Sequence, residues 1–380
     1  MKAMVILSIF IPVVGVAILG YLYGTKIPTH IYAVMLFGVP LFVFLLSFLF
    51  KGISNRSTEY LGGYVTNITY YEPWNEEVRK TREVEDGTDE DGHTSYRTEV
   101  YYEIEEHPAR YTYNTNIGKN GSISSFTFQE WKSRLGDSNP AFIDMHRNYY
   151  DKDGDAWEYN WNGRDANLVP VTFTHSYFNP LKHSNSLYKH EEIGKDSARA
   201  WGLFDYPVIT GEHYQNCVVS ETYYPNWDKR LQCLNARLGS SCQFRMFLLV
   251  FNGRKYKMED VFYKQKAYWN GGNKNEFVLC VGLDLESKKL LWHNSFSWCK
   301  EPKLEAEVRN YLSTKDTFYF IELCDWMENV IPGSWDRRQF SEFKYLSTTM
   351  PTWCEILLLV LSILATLGVG YWALTEINVL

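Results

Sequence analysis

The sequence has no cluster of basic residues, and its 38 Lys and Arg against 45 Asp and Glu give a formal net charge of −7. Binding of nucleic acid is therefore not expected, because a phosphate backbone is held by clustered cations. The C-x-x-C spacing of zinc ribbons and thioredoxin-type sites is missing as well. So are the G-x-S-x-G, H-E-x-x-H and protein-kinase motifs. No sequence motif indicates a particular enzymatic activity.

Charge is almost absent from three long stretches, residues 3–23, 31–50 and about 352–374, where Glu355 is the only charged side chain. A helix of about 20 apolar residues matches a hydrocarbon core of about 30 Å. Each stretch is therefore predicted to be a transmembrane helix, and the short linker 24–30 makes the first two an antiparallel hairpin. A signal peptide is the alternative for the first stretch. That stretch is longer than a usual signal sequence, and no small-x-small cleavage site precedes polar sequence.

Basic residues beside the spans predict the orientation of the chain. Most of them adjoin the central domain: Lys51, Arg56, Arg337, Arg338 and Lys344. The linker between the first two spans has Lys26 as its only Lys or Arg, and the tail after residue 374 has none. We therefore expect a multi-pass membrane protein with its N-terminus inside, its central domain in the cytoplasm and its C-terminus outside.

Cysteine usage leaves two interpretations open. Cys354 lies in the third span, and the central domain contains Cys217, Cys233, Cys242, Cys280, Cys299 and Cys324. Six cysteines would permit three disulfides in an oxidising compartment. However, Cys280 lies inside an apolar run, where a cysteine is typical of a buried core. We favour reduced thiols, most of them in the core.

Residues 55–350 are predicted to form an aqueous domain, between the helical hairpin at 1–54 and the third span with its short tail at 351–380. Alternating, β-branched and aromatic residues predict strands at 64–71, 78–84, 96–104 and 169–177. Two Asp-Gly pairs between the second and third of these runs predict a hairpin. Helices are predicted at 126–135, from its capping box, and near 191–200.

The C-terminal part of the domain has the clearest pattern. Nearly continuous apolar runs at 244–251 and 277–285 are typical of strands buried on both faces. The apolar stripe between them predicts a helix at 257–269. Such a unit is expected to have parallel strands, with 288–298 returning as an antiparallel strand. The remaining predictions are a helix after Pro302, a strand at 317–324, and an amphipathic helix at 334–346 that lies either on the membrane surface or within the domain.

Together these elements predict the α+β fold class. The aqueous domain is expected to have a mixed sheet, with a β-rich N-terminal part and a strand–helix–strand C-terminal part, and to be flanked by three transmembrane helices. The two parts either share one sheet or form two subdomains that divide near 180–240. Aromatic residues make up 17% of the chain, which is typical of an aromatic-rich sheet.

One loop has the composition of a metal site. Asp144, His146, Asp151, Asp153 and Asp155 are close in sequence, and alternating carboxylates are typical of calcium loops. An EF-hand loop needs Gly at its sixth position and Glu at its twelfth. Counted from Asp151, this loop has Gly154 at the fourth position and Asn162 at the twelfth. A turn with solvated aspartates is the favoured interpretation. No cofactor is predicted, and a divalent cation such as Ca²⁺ at these five residues stays the alternative.

The Gly-rich segment 271–275 invites a phosphate-loop interpretation that we reject. Phosphate loops follow a strand and open a helix, so that the positive helix end faces the anion. This segment instead ends a predicted helix and opens a predicted strand. It is therefore interpreted as a helix C-cap and turn.

Four sequence strings resemble an uncharacterised family of membrane-anchored proteins of bacteria and bacteriophages. They are EYLGGY at 59–64, EPWNE at 72–76, DMHRNY at 144–149 and GGNKNEF at 271–277. This resemblance covers most of the central domain and implies no activity. The segment 244–285 also resembles the core of the TPM domain, a membrane-tethered fold with some phosphatase members. A shared fold does not by itself imply a shared function.

Two functions are carried forward. The first is a membrane-tethered interaction or scaffold domain, whose partners are the lipid bilayer and either another membrane protein or further copies of the chain. The alternative is a metal-assisted hydrolase or a phosphatase-like domain of the TPM kind, which uses the carboxylates between Asp144 and Asp155. Convergence of these carboxylates with a histidine in one cleft would favour the enzyme.

Overall fold

A computed structural model describes residues 3–88, 94–136, 139–144, 154–161, 168–184, 190–209, 216–346 and 348–377 of the chain. Its elements are mixed helix and sheet, with strands in both parallel and antiparallel pairs. The predicted α+β fold class is therefore confirmed.

Within the described residues, three helices are long and apolar enough to cross a membrane. The first is α1 (Ala3–Tyr23). The second runs continuously over Thr29–Ser54 and consists of α2 (Thr29–Ala33), a π-helical turn (Val34–Gly38) and α3 (Val39–Ser54). The third is α10 (Thr352–Glu376). The three helices pack on one another, and a hydrogen bond of 2.5 Å from Ser362 Oγ to the Ser8 carbonyl joins α10 to α1. Such bonds satisfy hydroxyls that lipid cannot solvate.

The N-terminal half of the region between the second and third apolar helices is β-rich, as predicted. Its elements are β1 (Arg56–Tyr71), β2 (Trp74–Thr88), β3 (Thr94–His107), β4 (Arg110–Thr115), β5 (Asn120–Ile123), α4 (Ser125–Leu135), β6 (Ala141–Ile143), β7 (Ala156–Asn160) and β8 (Pro170–Phe178). The long β1 organises the sheet, whose order is β5-β4-β1-β7-β6. Its first half pairs with β8, and its second half lies between β4 and β7. A bulge between Val65 and Asn67 separates the halves. Strands β2 and β3 form the predicted hairpin as a separate two-stranded sheet.

The C-terminal half is built around a second sheet. Its elements are α5 (Lys195–Ala200), β9 (Val218–Ser220), α6 (Pro225–Ser241), β10 (Arg245–Asn252), α7 (Met258–Tyr268), β11 (Glu276–Leu283), β12 (Leu290–Ser297), α8 (Lys303–Ser313) and α9 (Phe320–Ser334). The sheet order is β12-β11-β10-β9. Strands β10 and β11 are parallel and β12 is antiparallel, which confirms the predicted unit. Every residue of β11 is buried, because helices and loops cover both faces.

Two predicted elements are wrong. Residues 317–324 were expected to form a strand, but Phe320 begins the helix α9. Phe320, Leu323, Met327 and Ile331 are buried at helical spacing, and a short apolar run does not distinguish this pattern from a strand. The predicted amphipathic helix at 334–346 is only a 3₁₀ turn at Phe340–Phe343. Phe340 and Phe343 are buried with Tyr177 and Leu181, so these two side chains pack within the domain.

The two halves meet where β1 crosses α6. A Cβ on Gly62 would lie 2.3 Å from the Asn235 carbonyl oxygen, and a Cβ on Gly239 would lie 2.3 Å from the Gly62 carbonyl oxygen. Glycines are needed here because the two backbones touch. All seven cysteines are free thiols and five of them are buried, in agreement with the favoured interpretation.

Candidate functional site

A cleft of about 570 Å³ opens between the two halves. Its walls come from the first half of β1, the end of β8 and its following turn, the α7–β11 loop, and the segment after β12. They contain mostly aromatic, hydroxyl and amide side chains. The lining residues are Ser57, Thr58, Tyr60, Tyr177, Asn179, Leu181, Lys182, His183, His190, Glu192, Tyr206, Tyr268, Trp269, Asn270, Gly272, Asn273, Trp298 and Phe340. A concave site with aromatic walls and a few polar groups is the usual form of a small-molecule site.

The cleft lies beside the points where the chain leaves the apolar helices. Ser57 follows the end of α3 by three residues, a distance of about 10 Å in extended chain. In the neighbouring turn after β8, the His183 carbonyl accepts hydrogen bonds from the Thr349 amide at 3.0 Å and the Thr349 hydroxyl at 2.6 Å. Thr349 precedes the start of α10 by three residues. The cleft is thus held close to two of the three apolar helices.

A buried ion cluster adjoins the cleft, since Glu59 lies between the lining residues Thr58 and Tyr60. Glu59, on β1, is fully buried, and both of its oxygens accept bonds from Arg337 Nη2, one of them at 2.6 Å. Lys274 Nζ lies 3.7 Å from the same carboxylate, and His175 Nδ1 lies 2.8 Å from it. A buried carboxylate is stable only with such partners. Glu59 therefore joins β1 to the α7–β11 loop and to the segment before α10.

A second buried carboxylate orders the Gly-rich loop. Glu276 accepts hydrogen bonds from the Asn273 amide at 2.7 Å, from Asn273 Nδ2 at 2.9 Å and from the Tyr206 hydroxyl at 2.5 Å. Gly271 and Gly272 both have positive φ, at 77° and 79°. They end α7, which supports the interpretation of this segment as a helix C-cap and not a phosphate loop. The loop nevertheless belongs to the cleft, since Gly272 and Asn273 line it.

Two tyrosines of the cleft, Tyr177 and Tyr206, have raised pKa values. Burial raises the pKa of Tyr177, and the nearby Glu59 raises it further. Burial and Glu276 likewise raise the pKa of Tyr206. The Lys274 amine lies 4.2 Å from the centre of the Tyr177 ring. Burial lowers the pKa of Lys274, although Glu59 acts in the opposite direction.

Two half-buried histidines, His190 and His293, predict a loss of stability in mild acid. Burial lowers the pKa of His190, as does Lys266, and burial and Arg309 lower that of His293, below the ordinary 6.5. Between these lowered values and 6.5 the unfolded chain binds more protons than the folded chain, so stability falls as the pH decreases through this window. We expect the thermal midpoint to drop between pH 7.5 and 5.5. It should drop less in the double variant His190→Gln/His293→Gln, and an equal drop in both proteins would refute this assignment.

The predicted metal loop lies largely outside the described residues. His146, Asp151 and Asp153 are not described, so their convergence with other ligands stays a prediction. Asp144 follows β6 and Asp155 precedes β7, next to the paired residues Ile143 and Ala156, so both aspartates lie at the same end of this strand pair. Neither lines the cleft.

Among the described residues, a different trio has metal-ligand spacing. Ligand atoms of Glu76, Glu105 and His107, at the base of the β2–β3 hairpin, lie within 4.8 Å of one another. The structure accounts for each without a metal. His107 Nε2 lies 3.0 Å from Glu76, the His107 ring stacks on Trp74, and Lys80 pairs with Glu105 at 3.2 Å. We interpret the trio as an ion-pair network that secures the base of the hairpin.

Sequence reasoning missed the cleft. Its walls come from segments more than 200 residues apart, such as Ser57 and Trp298, and only strand pairing and loop contacts bring them together. One such contact is the 2.7 Å hydrogen bond from Asn275 Nδ2 to the Tyr60 carbonyl. The available signals were the Gly-rich loop and the abundance of Tyr and Trp. Comparison with models of protein families, with curated proteins and with solved structures finds no match for this chain.

Proposed function

We propose that the protein is a membrane-tethered binding protein, whose cleft receives the uncharged, sugar-bearing headgroup of a membrane lipid. The observation that carries this proposal is the position of the cleft. Its lining includes Ser57, three residues after α3, and His183, whose carbonyl is bonded to Thr349 in the segment that enters α10. A headgroup at the surface of the bilayer would be within reach of this part of the cleft.

The chemistry of the walls favours a sugar. Tyr60, Tyr268 and Trp298 offer rings of the kind on which the C–H face of a sugar stacks, because the faces of such rings carry partial negative charge. Hydroxyl and amide groups, including Ser57 and Asn270, stand beside these rings. Such groups can both donate and accept hydrogen bonds, as sugar hydroxyls require.

The distribution of charge disfavours an anionic ligand. The cations beside the cleft, Arg337 and Lys274, surround Glu59 and are already paired. The Lys182 amine, at the rim, donates a 2.6 Å bond to the Arg56 carbonyl. Glu192 is also part of the lining and contributes the opposite sign. His190 has a pKa below its ordinary value and is therefore mostly neutral at pH 7.

The basic residues beside the spans support a cytoplasmic location for the binding domain, with the N-terminus inside and the C-terminus outside. In this orientation the lipid would come from the inner leaflet. The chain would act by binding and not by catalysis, as an interaction domain of the membrane surface.

Native mass spectrometry of the full chain tests the proposal. The protein is solubilised in a detergent without a sugar headgroup and mixed with equal amounts of monoglucosyl diacylglycerol, phosphatidylglycerol and phosphatidylcholine. We expect the glycolipid to be retained about tenfold more than either phospholipid, since a tenfold preference needs only about 1.4 kcal/mol. Trp298→Ala should abolish this preference.

The control is Tyr263→Ala, which removes an aromatic ring that is 64% exposed on α7 and outside the cleft. It should keep the preference, and both variants should have wild-type thermal midpoints to within a few degrees. Equal retention of the three lipids would overturn a sugar-specific cleft. Preference for phosphatidylglycerol would indicate an anion site instead.

A metal-assisted hydrolase remains the second candidate. It is favoured by the position of Asp144 and Asp155 at one end of the β6–β7 pair and by the parallel β10–α7–β11 unit, the segment whose sequence resembles the TPM domain. A hydrolase would release the headgroup of one lipid only when Ca²⁺ or Mg²⁺ is present. Asp144→Asn/Asp155→Asn should then stop the reaction but leave lipid retention unchanged.

A further inference from the structure

The β2–β3 hairpin has unpaired edges within the described part of the chain. It forms a sheet of only two strands, and no other described strand pairs with either of them. A two-stranded hairpin is marginally stable alone, and a free strand edge is a template for pairing with another strand. The two edges are therefore candidate interaction surfaces.

Exposed apolar residues lie on β3 and not on β2, so the edge of β3 is the better candidate for an interface. Tyr96, Val100, Tyr102 and Ile104 share one face of β3 and are 60%, 41%, 63% and 66% exposed. On β2 the residues facing them are polar: Glu85, Thr81, Arg79 and Glu77. The apolar surface therefore follows β3 and ends at its outer edge.

We propose that β3 pairs antiparallel with β3 of a second copy of this chain, about a twofold axis at Val100. The middle of β3 (Thr94–His107) falls between Val100 and Tyr101. A twofold axis at either residue therefore gives the longest possible pairing between the two β3 strands. Centred on Val100, Tyr96 of each copy faces Ile104 of the other. The two apolar stripes then form one continuous surface.

Charge decides between the two centres. With the axis at Val100, Arg97 faces Glu103 of the other copy, and this pair occurs twice. With the axis at Tyr101, Arg97 would face Glu105 of the other copy, but Glu99 would also face Glu103, each pair again twice. Only the axis at Val100 is free of such a like-charge pair. Opposite charges across a strand pair are stabilising and like charges are destabilising. Arg97 and Glu103 now make exposed ion pairs, with Asp86 at 3.7 Å and Lys80 at 2.6 Å. Pairs of this kind are weak and exchangeable.

Cysteine cross-linking of the full chain in detergent tests this pairing. Val100→Cys should form a disulfide-linked dimer on mild oxidation, and a reductant should remove it. Two controls should remain monomeric: the wild-type protein, and Thr81→Cys, which faces Val100 across the hairpin but lies on β2. In the Val100→Cys background, Arg97→Glu or Glu103→Arg should each lower the dimer yield on the order of tenfold. The double charge reversal should restore it.

Four results would overturn the proposal. The first is a Val100→Cys chain that stays monomeric in the oxidant. The second is a Tyr101→Cys chain that cross-links more efficiently than Val100→Cys. The third is a double charge reversal that fails to restore the yield lost in the single variants. The fourth is a Val100→Cys adduct with a different co-purifying protein, which would show that a partner and not a second copy covers the edge.

Discussion

Glu59→Gln should lower the free energy of unfolding by about 3–5 kcal/mol, the usual cost of breaking a buried ion pair from one side. Glu59 is fully buried, and the Arg337 and Lys274 side chains are each only 9% exposed. The substitution leaves two cations in the interior with no carboxylate to balance them. The two cations still carry the cost of desolvation, but they lose the attraction of the Glu59 carboxylate that offset it.

The thermal midpoint of the full chain in detergent, followed by tryptophan fluorescence, measures this effect. The matched control is Asp336→Asn. Asp336 pairs with Lys300 at 3.8 Å, but the two side chains are 62% and 55% exposed. Exposed pairs contribute about 0–1 kcal/mol, so the midpoint of the control should barely change. Similar losses in the two variants would contradict the assigned role of Glu59.

Gly62→Ala should destabilise the junction of the two halves by about 3 kcal/mol, at the upper end of the cost of overpacking. The new Cβ would lie 2.3 Å from the Asn235 carbonyl oxygen and 2.8 Å from its carbon. Both are backbone atoms of α6, so no side chain can rotate away. Either β1 or α6 has to move, and both carry core residues.

Gly333→Ala is the control for this substitution. Gly333 lies in α9, and a Cβ there meets nothing within 4 Å. Ala is preferred over Gly in helices by about 1 kcal/mol, so the control should be neutral or slightly stabilising. Loss of the folded protein in Gly62→Ala with a stable Gly333→Ala would support the backbone contact. A wild-type midpoint in Gly62→Ala would contradict it.

The elements that could be predicted are those whose burial is visible in local sequence. The runs at 244–251 and 277–285 are apolar on both faces, and strands of that kind have few alternatives. The three long apolar helices could be predicted equally well, because only lipid or a large protein core accommodates a run of about 20 apolar residues. The strand prediction for 317–324 was wrong because, over so short a segment, its apolar residues fit both the helical and the strand periodicity.

The site could not be predicted for a different reason. Nothing near Glu59 in sequence indicates burial, because its partners Arg337 and Lys274 lie more than 200 residues away. Tyr177 and Trp298 contribute to one cleft only after β8 has paired with β1 and the Gly-rich loop has met Tyr60. The carboxylates of 144–155 are close in sequence, but their proximity there says little about convergence in space.

Photocross-linking in the membrane tests the central claim most directly. The full chain is reconstituted in bilayers that contain a monoglucosyl diacylglycerol with a diazirine on its sugar, and the labelled peptides are identified after illumination. We predict labels within 57–60, 177–183, 268–273 and at Trp298, and their loss when unlabelled glycolipid is in excess. Labels confined to the three apolar helices, or unaffected by the competitor, would contradict a headgroup site in the cleft.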